Sequence, residues 1–192
     1  MAPISLVLPI RDFSGMTRLA SVLSLEERSS LTVRLAERML ESGLGADLEP
    51  VVVSRSARVK GWADSHNVRV VEDDGTGLTS AAATGVDHCP GRWVLAHADL
   101  PYVTPDALVQ VLKMSSGSTV LVPSVDGGTN VISSNGLFPF SFGEGSFHRH
   151  LASAPSAVVL PSRELSVELD TPTHLSALDF DSLWTKTIYG GR

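Results

Sequence analysis

The chain has 192 residues, a net charge of −6, and 43% hydrophobic against 19% charged residues. That length suits one domain able to bury a substantial core, the acidic balance argues against a nucleic-acid partner, whose binders carry basic surfaces, and no apolar run reaches the roughly 18 residues of a membrane span. Cys89 is the single cysteine, so no intrachain disulfide can form, and the N-terminus lacks a basic region before its first apolar stretch, which together lead to the expectation of a cytoplasmic protein.

The first strand is predicted at Ile4–Ile10, followed by a polar loop over 11–19. Ser24 and Glu27 form a capping box, and the helix they start carries Leu31, Leu35, Met39 and Leu40 on one face and stops near Gly43. Val51–Val53 is a second strand, 57–66 a short helix, and Val68–Val71 a third strand closed by Glu72-Asp73-Asp74-Gly75. Gly77-Leu78-Thr79-Ser80 leads into an Ala-rich helix up to about Val86. Arg92–Ala96 is the fourth strand, Thr104 caps a helix with Pro105 at its first position, and Thr119–Pro123 is the fifth strand. This alternation predicts an α/β fold: a three-layer α/β/α, Rossmann-like, mostly parallel sheet with helices on both faces.

After residue 124 the rhythm changes. Asp126-Gly127-Gly128-Thr129-Asn130 is a Gly-rich turn, Val131-Ile132 a short strand, and Phe142-Gly143-Glu144-Gly145-Ser146 a second Gly-rich turn. A helix over 147–154, strands at 157–160 and near Val167, and a last helix capped by Asp170-Thr171-Pro172 complete residues 1–180 as one domain. Residues 181–192 read as a loosely held tail.

The chemistry concentrates around His97-Ala98-Asp99-Leu100-Pro101. A strand that ends by projecting a carboxylate does so where open α/β sheets gather their ligands, at the carboxyl edge. Glu168 and Asp170 alternate along a predicted strand and so point the same way. Unit charges of like sign at 4 Å repel by about 4 kcal/mol at an effective dielectric near 20. Mg²⁺ relieves such repulsion and favours carboxylate, water and phosphate oxygens. Asp99, Glu168 and Asp170 are therefore the candidate metal ligands; taken singly, Asp170 also reads as a helix N-cap and Asp99 as a turn cap. The two Gly-rich turns offer backbone N–H groups suited to anions, although a lone glycine pair is more often an ordinary turn. His97 is expected to pack at the strand end, and His148 or His150 to offset substrate charge; with no cysteine partner, neither pair reads as a zinc site.

Taken in order, Pro9-Ile10-Arg11, Thr17-Arg18-Leu19, Leu23-Ser24 with Arg28, Gly77-Leu78, Ala98-Asp99-Leu100-Pro101, Asp126-Gly127-Gly128-Thr129-Asn130, Phe142–Phe147 and Glu168–Pro172 span nearly the whole chain. This series resembles the phosphoenolpyruvate, 2-phospho-L-lactate or 3-phospho-D-glycerate guanylyltransferases of coenzyme F(420) biosynthesis, which share the nucleotide-diphospho-sugar transferase-like fold. The resemblance implies that GTP and a three-carbon phospho-acid are joined with release of pyrophosphate, with Mg²⁺ held by Asp99, Glu168 and Asp170. It implies catalytic roles for Asp99 and Asp170, with Arg18 on the triphosphate. It places Arg11, Gly77, Leu78 and Thr79 at the nucleotide, Thr129, Asn130, Gly143 and Ser146 at the phospho-acid, and a homodimer edge in the residues after 124. The chain departs from the family's usual pattern at Arg11 and Met16, where lysines are usual, at Thr79, where asparagine is usual, and at Glu168, where aspartate is usual. These departures keep two other readings open: a nucleotidyltransferase with another donor or acceptor, and a catalytically lapsed homologue that only binds nucleotide or phospho-acid.

Overall fold

The structure, a computed structural model, describes residues 3–178. The expected tail and the last two residues of the expected domain lie outside the described residues. Among the described residues, seven strands form one sheet in the order β3-β2-β1-β4-β6-β5-β7. They are β1 (Ile4–Pro9), β2 (Leu48–Val53), β3 (Arg69–Val71), β4 (Arg92–Ala96), β5 (Val120–Pro123), β6 (Thr129–Asn135) and β7 (Val158–Val159). β1 pairs in parallel with β2 and β4, and β2 with β3. Leu6, Val7 and Leu8 are all fully buried although they alternate between faces, as a strand covered on both sides requires.

Helices α1 (Leu25–Gly45), α2 (Ala57–Ser65), α4 (Pro105–Met114) and the single turn α6 (Arg163–Ser166) cover one face. There Leu6, Leu8, Val94 and Ala96 meet Ala36, Met39, Leu108 and Leu165. On the other face α3 (Leu78–Asp87) and α5 (Ser146–Ser153) cover Val7, Trp93, Leu95 and Ile132. The three layers follow from the two apolar faces of each inner strand. Ser24 accepts from the Glu27 N–H and Glu27 returns the bond to the Ser24 backbone, the capping box read from the sequence. Thr104 and Pro105 begin α4 as expected.

The structure corrects several expectations. α1 runs past Gly43 to Gly45, because Gly43 lets the helix approach the sheet: a Cβ there would meet Leu6 Cδ2 at 2.3 Å. The sheet is not extended by a fifth adjacent parallel strand. β6 is seven residues long and inserts antiparallel between β4 and β5. The cause is the tight turn at Ser124–Gly128, where the Ser124 N–H donates to the Gly128 carbonyl and Gly127 takes φ 88°; so short a connection can only join antiparallel neighbours. Residues near Val167 form no strand, and a helical turn over 163–166 precedes them. The last helix, α7 (Pro172–Ala177), is capped by Thr171, whose hydroxyl accepts from the His174 N–H, rather than by Asp170. A short 3-10 turn occupies Thr17–Leu19 within the loop after β1.

A third apolar cluster positions the site. Leu19, Leu31, Leu35, Leu169 and Leu178 pack together with Met16, Tyr102 and Leu175. It fastens the loop after β1 and the segment before α7 onto α1.

Gly85 of α3 lies over β1 and β2, where a Cβ would meet Val7 Cγ1 at 2.5 Å and Val53 Cγ2 at 2.6 Å. Both neighbours are β-branched and held at χ1, so neither can swing away. Gly85→Ala is expected to cost about 1–3 kcal/mol through overpacking, read as a lower urea midpoint at unchanged slope.

Candidate active site

The carboxyl ends of β1, β2 and β3 open into a cleft of about 940 Å³, lined among others by Arg11, Ser54, Arg55, Gly75, Gly77 and Leu78. Its floor is built locally. The Ile10 N–H donates to the Val53 carbonyl, so the chain leaves β1 along β2. Asp74 Oδ1 accepts from both the N–H and hydroxyl of Thr76, and Arg55 donates to the Asp74 carbonyl at 2.9 Å. Gly77 then starts α3 at φ 133°, a conformation that favours glycine, and open space lies where its Cβ would be. No side chain caps this helix, so its first N–H groups stay available to an anion in the cleft. Arg11, Gly77 and Leu78 thus come together as expected of a nucleotide site. Thr79 does not line the cleft with them; its Oγ1 accepts from the Phe142 N–H at 3.1 Å.

Beside the cleft, at the end of β4, stands Asp99. The Leu169 N–H donates to the Asp99 carbonyl at 3.0 Å, and the Leu169 side chain is wholly buried. Glu168 and Asp170 therefore flank a residue pinned to Asp99, although they sit on an extended segment rather than the predicted strand. Asp99 Oδ1 is shielded from solvent and, among the described residues, has no hydrogen-bond partner. Burial pushes the Asp99 carboxyl above the ordinary carboxylate range, with His97 opposing and the charges of Asp170 and Asp126 adding to the rise. Glu168 is also pushed up, by burial first and then by Asp99, against the opposing pull of Ser124 and of His97. The two carboxyls share one poorly solvated place, and the charge of Asp99 disfavours that of Glu168.

Asp170 is held differently: Arg18 Nη1 lies 2.6 Å from its Oδ2. Arg18 was expected on a triphosphate; here it neutralises Asp170. The loop carrying it is steadied by Arg28, which donates to the Gly15 carbonyl. Asp126, read from the sequence only as a turn residue, faces the same cluster. Hydrogen bonds from the Ser124 hydroxyl and then the Gly128 N–H hold its carboxyl low against the opposing effect of burial. Among the described residues no three His, Cys, Asp or Glu side chains are arranged to enclose a metal ion. Asp99 and Glu168 are the groups a divalent cation would satisfy, and such a cation would need further oxygens from water or a bound phosphate.

The Gly-rich turns also meet. The Phe147 N–H donates to the Gly127 carbonyl, so Ser124–Gly128 and Gly143–Ser146 lie side by side. Gly143 at φ 115° and Gly145 at φ 68° shape the second turn. Its framework is Arg149, unmarked by any sequence signal. The guanidinium donates to the Glu144 carbonyl at 2.6 Å and to the Ser141 hydroxyl and carbonyl. Gly143 is exposed and Ser146, at the start of α5, is buried. Thr129 and Asn130 do not present themselves to an acid. Both are buried; Thr129 Oγ1 lies 2.9 Å from His150 Nδ1, and Asn130 Nδ2 donates to the Leu165 carbonyl. They face inward because β6 is an inner strand of the sheet.

His150 is therefore structural rather than a counter-charge for substrate. Its Nε2 accepts from the Ser141 N–H at 2.9 Å, which leaves the proton of the neutral ring on Nδ1, where it donates to Thr129. Burial, with help from Arg149 and His97, pushes its pKa down to about 4. The unfolded chain binds this proton below about pH 6.5 while the folded chain refuses it until about pH 4. The unfolded state then carries more protons, so this contribution to stability falls as pH drops from about 6.5 to 4, by of order 3 kcal/mol in total. Urea midpoints of the wild type and His150→Gln are expected to converge over that window; a constant difference between them would show that His150 does not titrate as described.

The model of the family described as Guanylyl transferase CofC like matches residues 4–182. The phosphoenolpyruvate guanylyltransferase of Rubrobacter xylanophilus is 30% identical, over 90% of this chain and 92% of that one. That of Sphaerobacter thermophilus is 32% identical over 90% of each chain. The 2-phospho-L-lactate guanylyltransferase of Methanocaldococcus jannaschii is 25% identical, over 90% of this chain and 80% of that one. A solved structure from Desulfovibrio desulfuricans G20, assigned to the nucleotide-diphospho-sugar transferases, superposes with a TM-score of 0.76 at 16% identity, covering 96% of this chain and 93% of that one. A Methanothermobacter nucleotidyl transferase superposes at 0.65 with 19% identity, covering 91% and 94%. These two share the fold. The chain is an enzyme of the nucleotidyltransferase class and belongs to the guanylyl transferase CofC like family.

Proposed function

We propose that the chain is a Mg²⁺-dependent guanylyltransferase that joins GTP to a three-carbon phospho-acid and releases pyrophosphate, in the cytoplasm, as a step of coenzyme F(420) biosynthesis. The observation that carries this reading is the meeting of Asp99, Glu168 and Asp170 at the sheet edge where the cleft also opens. Relatives named for phosphoenolpyruvate and for 2-phospho-L-lactate support a phospho-acid acceptor.

The acceptor already carries its nucleophile. A phosphate oxygen of the acid attacks the α-phosphorus of GTP, the bond to the β-phosphate oxygen breaks, and pyrophosphate departs with the electron pair. No side chain needs to form a covalent bond, so the protein's task is positioning and charge neutralisation. Arg11 and the free N–H groups of α3 face the nucleotide's phosphates, while the turn at Gly143–Ser146 receives the acid. Asp99 and Glu168 fit a divalent cation, because one has an orphaned buried oxygen and both are disfavoured as bare anions. Mg²⁺ bound there would screen the attacking phosphate and polarise the α-phosphorus. Arg18 would exchange Asp170 for the triphosphate, which frees Asp170 for the same cation.

A different nucleotide donor is the second reading. It is favoured by Thr79, whose hydroxyl is already engaged by Phe142 and is not the asparagine that the resemblance leads one to expect near the base.

Four nucleoside triphosphates assayed against phosphoenolpyruvate, 2-phospho-L-lactate and 3-phospho-D-glycerate with Mg²⁺ separate the readings. GTP with one of the acids should release pyrophosphate and give a product of matching mass. Preference for another nucleotide would move the chain to the second reading; no turnover with any pair would leave binding alone. Asp99→Asn and Asp170→Asn are each expected to lower kcat at least ~10²-fold, the scale for losing one preorganised electrostatic group. Asp99→Asn should also raise the metal-free melting temperature, because it removes a buried charge from beside Glu168. Full activity in both variants would sink the acid assignment.

A further inference from the structure

His97 follows the last residue of β4. Alternation along the strand sends its side chain to the face of Trp93 and Leu95, the face covered by α5 and the aromatic loop before it. The ring lies against Phe142, with centroids 5.6 Å apart and planes at 42°. Phe142 is in turn fixed by the bond from its N–H to Thr79 and opens the turn that contains Gly143 and Ser146. On the other side His97 acts electrostatically on both Asp99 and Glu168. The imidazole thus stands between the acids and the Gly-rich turn.

Its backbone N–H is used, donating to the Asn130 carbonyl at 3.0 Å. Its side chain is not. Among the described residues Nε2 is shielded from solvent and unpartnered, and so is Asp99 Oδ1, two residues on. More than about 90% of buried polar groups in folded proteins are paired, and each one left without a partner costs about 1–3 kcal/mol. Two at one strand end, on residues whose side chains alternate onto the same face, mark a place completed by something from outside the chain. A cation answers Asp99 but offers nothing to Nε2 in the tautomer that carries its proton there. A group that accepts a hydrogen bond from Nε2 and sits between the acids and the Gly143–Ser146 turn is an anionic oxygen.

We propose that His97 is a further binding residue for the acceptor, its Nε2–H donating to an anionic oxygen of the phospho-acid held between Asp99 and the Gly143–Ser146 turn. This rests on the phospho-acid reading above. It changes the role expected from the sequence, which was packing at the strand end.

Calorimetric titrations with phosphoenolpyruvate, inorganic phosphate and pyruvate, each with Mg²⁺, test it on wild type, His97→Phe and His97→Gln. Phe keeps the packing against Phe142 without a donor; Gln restores an N–H at similar reach. Phenylalanine is expected to weaken phosphoenolpyruvate at least tenfold and glutamine to recover most of that loss, with Mn²⁺ affinity measured alone unchanged within twofold. A parallel loss for inorganic phosphate places the contact on the phosphate, and for pyruvate on the carboxylate. His97→Met replaces the Phe variant if melting shows that the latter does not fold. Unchanged phosphoenolpyruvate affinity overturns the proposal, as does weaker Mn²⁺ binding in the variants, which would make His97 a metal ligand, or a wild type that binds none of the three. A wild type that binds phosphoenolpyruvate but transfers no guanylyl group fails the proposed function alone; one that transfers it equally well with His97→Phe fails this inference alone.

Discussion

One backbone hydrogen bond, from the Leu169 N–H to the Asp99 carbonyl, sets the geometry on which the site depends. Nearly seventy positions of chain separate its partners, and no ladder supports it. It holds because the Leu169 side chain is buried with Leu19, Leu31 and Leu35. Leu169 points into that cluster, so Glu168 and Asp170 on either side of it must point away. Leu19 anchors the loop after β1 in the same cluster, which brings the neighbouring Arg18 to Asp170. Apolar packing thus decides where four charged groups stand.

The charges themselves oppose this arrangement. Asp99 and Glu168 are driven toward their neutral forms by burial, and further by neighbouring acids, Asp170 and Asp126 for Asp99 and Asp99 and Asp126 for Glu168, and one Asp99 oxygen has no partner among the described residues. Around them the protein applies partial remedies: Arg18 on Asp170, and Ser124 with the Gly128 N–H on Asp126. Anionic charge is thus concentrated in a weakly solvated place.

On the other side of the site the constraint is rigidity rather than charge. Two adjacent residues of α5 divide the work. Arg149 gathers the carbonyls of the turn before it, and His150 reaches back through its neutral ring to Ser141 and Thr129. The turn that would receive the acid is therefore bound to an inner strand through a buried imidazole. Thr129 serves that link and not the ligand, and β6 exists in the middle of the sheet because the Ser124–Gly128 turn folds it back beside β5.

Much of this was legible in the sequence because it is local. The capping box at Ser24, the Thr104-Pro105 helix start, the apolar runs of β1, β2 and β4 and the carboxylate after β4 all depend on neighbours within a few residues. So does the order of motifs that identifies the family. What the sequence left undetermined depends on distant partners. Alternation could pair Glu168 with Asp170 but could not show that Leu169 is pinned to Asp99. A Gly-rich turn could suggest anion binding but not that its threonine faces a histidine across the sheet. His97 reads as ordinary strand-end packing until the surroundings of its Nε2 are seen. Local pattern determined the layers, the edge at which chemistry occurs and the residue types that perform it; only the tertiary structure decided which of those side chains face the site and which are spent holding it, because burial and partnership are properties of the assembled core.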